Sequence, residues 1–384
     1  MTACETYRGF EVGPIRPPSE AGSLMLRITR NCPWNNCKFC GLYKGKSFSI
    51  RPVDHILRDI DSILTHVEAI QGITEENGIL RQNALTALGA QTPHHEKMAL
   101  HTALYWIRSG MSSIFLQDAN TLVLNPDDLI TILLHIREAF PRVERITSYA
   151  RSHTIARISD DDMARFALAG LNRIHIGMES ASDEVLAFVK KGVDKKTHIL
   201  AGQKVVRSGI ELSEYFMPGL GGRALSTKSA LETADAINQI NPDFIRIRTL
   251  AIPETSALHK DLQNGSFSQM GDVDTSRELL LFLDTLNGVS SAVKSDHILN
   301  LFQNVDGTLP GDKETITAPL RSFLEMPPED QLLYRAGRRT GFFTSLADMN
   351  DPELMKHALK AKQTHQVTLE NVDTFTAEMM KRFI

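Results

Sequence analysis

Three cysteines stand within nine residues, in Cys32-Pro-Trp-Asn-Asn-Cys37-Lys-Phe-Cys40, just past the apolar run Leu24-Met25-Leu26-Arg27-Ile28. Thiolates are soft ligands that select zinc or iron–sulfur clusters. Their number carries information. A structural zinc closes its tetrahedron with a fourth ligand, and the nearest histidine, His55, lies beyond a Gly/Lys-rich turn and inside an expected helix. A 4Fe-4S cluster held by three cysteines instead leaves one iron open to a further molecule. Read as core residues, the cysteines would be small hydrophobes. The Pro, Trp, two Asn and Lys between them suit a loop better.

The elements that would carry such a loop follow from the hydrophobic pattern. Residues 1–23, with Gly13-Pro14 and Pro17-Pro18, read as an extended arm, and 24–29 as the first strand. Pro52 opens a helix in which Val53, Ile56, Ile60, Ile63, Leu64 and Val67 keep a 3.6-residue period. A second helix is expected within 96–109. Residues 71–95 are polar and read as an irregular insertion near the cysteine loop, with His94 and His95 solvated. Strand-like runs then recur at 113–116, 145–149, 173–177, 211–217 and 244–250, at intervals of about 30 residues, with helical patterns between them. Asn125 and Ser159 stand as helix N-caps, Gly170 and Gly209 as helix C-terminal glycines.

Such alternation predicts a parallel sheet with crossover helices. With the first strand, six βα units fit: an α/β fold, a partial (β/α)6 TIM-like barrel over 24–260. A helical region over 261–384 follows, with helices at 276–287, 315–324, 329–340 and 352–363.

Alternation along a strand divides lumen from helix-facing side chains. In Ile245-Arg246-Ile247-Arg248 both arginines share the face opposite the isoleucines, and charges so placed call for an anion or for partner carboxylates. The same argument turns Glu214 inward and leaves Tyr215 on the other parity. It also places His175 with Glu179, and Thr147 with Tyr149 and Arg151. Glu214, Tyr215 and His175 are the catalytic candidates, and the polar lumen implies a polar, small-molecule substrate. Ser295-Asp296-His297 reads as helical and structural, because adjacent helical residues point apart.

The formal net charge is −4, with 42 Lys and Arg against 46 Asp and Glu and no basic block, which argues against a nucleic-acid surface. No run approaches the ~18 apolar residues of a membrane span. The N-terminus lacks the apolar core of a signal peptide. Four cysteines make no disulfide framework, so the expected location is cytoplasmic, with Cys4 a spare thiol.

The cysteine loop after a first strand, spaced Cys32-x4-Cys37-x2-Cys40, resembles the radical S-adenosylmethionine (radical SAM) superfamily. The usual family spacing is three residues and then two. The resemblance spans about residues 20–260. It implies that Cys32, Cys37 and Cys40 ligate a 4Fe-4S cluster whose open iron chelates SAM, with Phe39 near the adenine. It further implies that Glu179 and Ser180, in Ile176-Gly177-Met178-Glu179-Ser180, meet the ribose. Arg151 is matched to the methionine carboxylate, and Gly219 and Gly221, in Met217-Pro218-Gly219-Leu220-Gly221-Gly222, to the adenine.

Where the family has Gly-Gly-Glu for the methionine amino group, this chain reads Leu116-Gln117-Asp118-Ala119-Asn120, so Asp118 takes that place. Arg246 and Arg248 become candidates for a carboxylate or phosphate of SAM or substrate. The implied activity is reductive cleavage of SAM to a 5′-deoxyadenosyl radical that abstracts hydrogen from the substrate, with an electron donor such as flavodoxin or ferredoxin. Oxygen-independent coproporphyrinogen dehydrogenases carry a further cysteine after the motif, whereas Cys40 here is followed by Gly41. The rival readings are a non-catalytic cluster- or zinc-binding barrel and a radical SAM enzyme that modifies RNA.

Overall fold

The computed structural model describes residues 5–75 and 78–383. Cys4 lies outside them. The chain divides into two compact units: Met1–Pro33 with Gly45–His175 and Arg207–Ile210, and Trp34–Lys44 with Ile176–Val206 and Glu211–Ile384.

In the first unit Leu24–Arg27 (β1), Ser113–Gln117 (β2) and Arg145–Ala150 (β3) are parallel neighbours in that order, followed by Arg173–Glu179 (β4), whose first three residues belong here. Every residue of β2 is buried, as befits a parallel strand covered on both faces. The periodic helix forms as Val53–Gly72, and its Ile56, Ile60, Ile63, Val67 and Ile70 are buried. It packs against helices Lys97–Arg108 and Pro126–Ala139. Both expected caps form: Asn125 Oδ1 accepts the Asp127 N–H at 2.9 Å, and Ser159 Oγ that of Asp162 at 3.0 Å. The 71–95 stretch is more ordered than its sequence suggested, since Gln82–Gln91 is helical. None of that helix's residues is buried, so no apolar stripe marked it.

The second unit holds the end of β4, then Glu211–Phe216 (β5), Phe244–Ile247 (β6), Ala292–Lys294 (β7) and Gly307–Thr308 (β8). Pairs β5–β6 and β6–β7 are parallel, and β8 runs antiparallel to β7. Two short strands, β7 and β8, stand within the expected helical C-terminal region; at three and two residues they are too short to show a period. The helices there fall near their expected places as Asp272–Thr285, Lys313–Glu325, Pro328–Arg339 and Pro352–Thr364, joined by Val372–Met380.

Buried charge ties these helices together. Asp272 Oδ1 and Oδ2 accept from Arg339 at 2.5 Å and Arg335 at 3.3 Å, and Arg335 also donates to Asp373. Burial pushes the Asp272 carboxyl up, but the two guanidinium charges outweigh it and hold the pKa at about 2. Asp272→Asn leaves two buried cations poorly answered. It is expected to cost about 3–5 kcal/mol of stability, read as a fall in the denaturant midpoint. Asp274→Asn, which loses only exposed pairs with Arg223 and Arg277, should cost under about 1 kcal/mol.

Candidate active site

In the first unit, the approach to Cys32 is fixed by Asp118, which is fully buried just past β2. Its Oδ2 accepts from Arg27 Nη2 and Nε at 2.8 and 3.0 Å and from the Asn31 N–H at 3.0 Å. Asn31 sits at φ +68°, the left-handed turn that leads into the cysteine loop. The other oxygen, Oδ1, accepts no hydrogen bond and faces Gly13, where any Cβ would run into it. Arg151 is half-buried at the end of β3, its N–H donated to Asn120 Oδ1 at 3.0 Å.

His175 is fully buried, 3.4 Å from Glu20 and in ring contact with Tyr149 and Phe115. Burial raises the Glu20 carboxyl, but bonds from His175 and Ser23 and the Arg145 charge hold it below the usual range. His175 is thus one member of a fully buried polar cluster with Glu20, closed off from solvent.

In the second unit, Trp34–Lys44 folds onto its own supports. Lys38 N–H donates to the Val189 carbonyl and Leu258 N–H to that of Lys38, both at 2.8 Å, and the Cys40 N–H turns back to the Cys37 carbonyl at 3.4 Å. Phe39 packs on a cluster that includes Val185, Val189, Met217, Leu250 and Leu258. The Lys191 ammonium stands 5.5 Å from the Phe39 ring centroid. Trp34 Nε1 donates to the Lys190 carbonyl at 2.8 Å, and its ring lies against Gly192, at φ +72°.

All three cysteines are half-buried. Among the described residues, no three His, Cys, Asp or Glu side chains form a group that could hold a metal ion as they stand. By its chemistry the donor set nevertheless suits a cluster: three thiols on one short loop, with no His, Asp or Glu interspersed.

Glu179 closes β4 at φ +67°, a left-handed conformation rare for a residue with a side chain. Its Oε1 takes the Lys191 ammonium at 3.2 Å, and Gly177 leaves the room: a Cβ there would meet both groups. Ser180, by contrast, is fully buried and its hydroxyl is shared with Ser229 at 3.1 Å.

The sheet register corrects the inward assignment of Glu214. Tyr215 lies beside Arg246 and Glu214 beside Ile245, while Phe216, of Glu214's parity, stacks on Phe282 of helix Asp272–Thr285 at 4.2 Å. Glu214 therefore occupies the helix-facing side, and Tyr215, half-buried, shares the polar face with Arg246 and Ser213. Alternation had separated the two parities without saying which faced the helices. Glu214 is fully buried and neither oxygen accepts a hydrogen bond, so burial drives its carboxyl well above the usual range despite the Lys191 charge.

Arg246 bonds Asp296 at 2.9 Å and Ser213 at 3.2 Å. Arg248 lies one residue past β6 and is exposed. Ser295-Asp296-His297, expected in a helix, instead forms the loop after β7. Burial, then the Arg248 charge, lowers His297 to about 4.

The glycine loop after β5 has a partner the sequence did not announce. Gly219, at φ +92°, donates its N–H to Glu278 Oε2 at 2.7 Å, and Gly221 precedes helix Gly222–Ile240. Glu278 is buried among apolar neighbours on helix Asp272–Thr285. Burial lifts its pKa to about 8, against the lowering effect of the Gly219 and Ser229 bonds.

No protein-family model matches the chain. Over 110 residues, 28% of its length, it is 24% identical to the tRNA uridine(34) acetyltransferase of Methanocaldococcus infernus, of which it covers 21%. Among solved structures it is similar to Methanocaldococcus infernus Elp3, with TM-score 0.42, 16% identity and coverage of 52% of this chain and 53% of that one. Methylornithine synthase PylB gives TM-score 0.43, 11% identity and 77% and 68% coverage. Coproporphyrinogen III oxidase HemN of Escherichia coli, a radical SAM enzyme, gives 0.45, 16%, and 68% and 52%. In its cysteine loop and strand–helix alternation the chain resembles radical SAM enzymes.

Two outcomes follow from this geometry. The folded protein keeps a proton on Glu278 up to about pH 8, whereas the unfolded chain releases it near the ordinary value of 4.5. Stability attributable to this group therefore declines as pH rises between those values, by up to roughly 1.4 kcal/mol per pH unit. Thermal melts from pH 6 to 9 should show a steeper loss for the native protein than for Glu278→Gln. Gly192→Ala should cost about 1–2 kcal/mol from the left-handed backbone alone and shift Trp34 emission to the red as the ring is pushed off its seat.

Proposed function

We propose that this protein is a radical SAM enzyme acting on a polar small molecule. The observation that carries the reading is the loop of three half-buried thiols with no fourth donor among them. Cys32, Cys37 and Cys40 would hold a 4Fe-4S cluster. When bound and reduced, such a cluster supplies the electron that splits SAM into methionine and a 5′-deoxyadenosyl radical, which then takes hydrogen from the substrate.

The chain's own residues position the cofactor. Glu179, its rotamer fixed by Lys191, accepts from the ribose hydroxyls. Phe39 gives the adenine an apolar face, and the loop at Gly219 and Gly221 lets backbone approach it. Glu278 fixes that loop through the Gly219 N–H. Arg151 answers the methionine carboxylate. Tyr215 and Arg246, on one polar strand face, orient the substrate, with exposed Arg248 at its rim. Asp118 is a weaker match to the methionine ammonium, because its Oδ2 already holds Arg27 and the Asn31 N–H and Gly13 covers its Oδ1.

Anaerobic reconstitution with iron and sulfide, followed by reduction and SAM, tests the reading. Iron and sulfide in equal amounts, with methionine and 5′-deoxyadenosine as products, are expected. Cys37→Ala should lose more than nine-tenths of both bound iron and SAM cleavage, and a variant retaining them refutes the ligand assignment. A protein that takes up only zinc defeats the enzyme reading. An RNA substrate is favoured by one observation, the short stretch similar to a tRNA-modifying enzyme. Product formation that requires added tRNA would establish it.

A further inference from the structure

Where β6 and β7 end, the second unit holds a cation on a rigid mount. Arg248 is exposed, and its guanidinium forms no ion pair among the described residues. Its backbone is fixed from both sides. The Arg248 N–H donates to the Phe216 carbonyl at 3.0 Å, which carries the β5–β6 ladder one residue further. Asn300 spans the two flanking residues: its Nδ2 donates to the Ile247 carbonyl at 2.7 Å and its Oδ1 accepts the Thr249 N–H at 2.8 Å. Helix Pro328–Arg339 in turn grips this stretch. Arg338 donates to the Asn300 and Leu301 carbonyls at 3.1 and 3.2 Å, and Arg339 to that of Leu299 at 2.8 Å.

The same clamp carries His297. Its Nδ1 accepts the Leu299 N–H at 3.2 Å, and its carbonyl accepts the Asn300 N–H at 3.0 Å. Because Nδ1 is an acceptor, the proton of the neutral ring lies on Nε2. Burial and the Arg248 charge keep the ring neutral, with a pKa of about 4. At neutral pH, Nε2–H is therefore a donor, and it has no partner among the described residues. The other charges nearby cancel. Asp296 answers Arg246 at 2.9 Å, and Asp306 answers Lys294 at 2.8 Å. One cation and one neutral donor are left over.

We propose that Arg248 and the Nε2–H of His297 bind a carboxylate of the substrate, an inference that rests on the radical SAM reading in calling that ligand a substrate. A guanidinium fork takes a carboxylate through two parallel bonds, and an imidazole N–H can add a third. One uncompensated positive charge matches a single negative one. A phosphate dianion fits less well, because the exposed Asp296 carboxylate beside His297 would repel its second charge. The position also suits a ligand, since parallel α/β sheets bind theirs at the carboxyl ends of the strands.

Phenylglyoxal labelling of the full chain at neutral pH, read at Arg248 by peptide mass spectrometry, tests the site with acetate as the probe. Arg142, also exposed and without an ion pair among the described residues, is the internal control. Acetate is expected to slow labelling of Arg248 saturably and to leave Arg142 unchanged. His297→Ala should raise the acetate concentration for half-protection about tenfold, the worth of one charge-assisted hydrogen bond. His297→Gln, whose amide can donate from the same place, should stay within about threefold of the native value. Equal loss in both variants, or equal protection of Arg142, overturns the assignment. So does inorganic phosphate that protects better than acetate at equal ionic strength, which would make this a phosphate site. Full protection by SAM, to which acetate adds nothing, overturns it too by giving Arg248 to the cofactor's own carboxylate. Labelling needs neither cluster nor turnover. Acetate protection in a protein that cleaves no SAM therefore upholds the carboxylate site and refutes only the radical SAM reading.

Discussion

A charge removed from water must be answered within hydrogen-bond reach, because an isolated buried ion costs far more than a folded chain has to spare. Asp118 meets this constraint with one oxygen, gathering the Arg27 guanidinium and the Asn31 N–H. The chain is thereby turned through a left-handed residue into the cysteine loop. Other parts of the protein follow the same rule. Asp272 is matched by two arginines, Glu20 by His175 and Arg145, and Glu179 by Lys191. The buried polar atoms without a hydrogen bond include one oxygen of Asp118, one of Glu278 and both of Glu214.

Much of the architecture was legible because period and punctuation agreed. The six strand-like runs became β1 to β6 to within a few residues, and Asn125 and Ser159 cap the helices their sequences announced. Elements without a period escaped notice: the exposed helix Gln82–Gln91 and the short strands β7 and β8. Face assignments were weaker than element assignments. Glu214 and Tyr215 were separated correctly by parity, but only the register against β6 and the Phe216–Phe282 stack decided which of them meets the helices. Glu278 was invisible for another reason. A glutamate on a helix reads as solvated until the helix is seen to press it against the Gly219 N–H.

The cysteine loop joins a sequence signal to a physical support. Its residue types imply soft-metal chemistry without reference to fold. Its conformation depends on contacts far along the chain: Val189 and Leu258 on the Lys38 backbone, and Gly192 beneath Trp34. Those supports come from much later stretches of the second unit, so they could not be read from the motif alone.

The central claim is that one iron of the cluster has no protein ligand. Mössbauer spectra of the protein loaded with ⁵⁷Fe, recorded with and without SAM, test it most directly. The account predicts that SAM shifts the signal of one iron in four and leaves the remainder unchanged. A spectrum indifferent to SAM, or a protein that assembles no four-iron cluster, would contradict it.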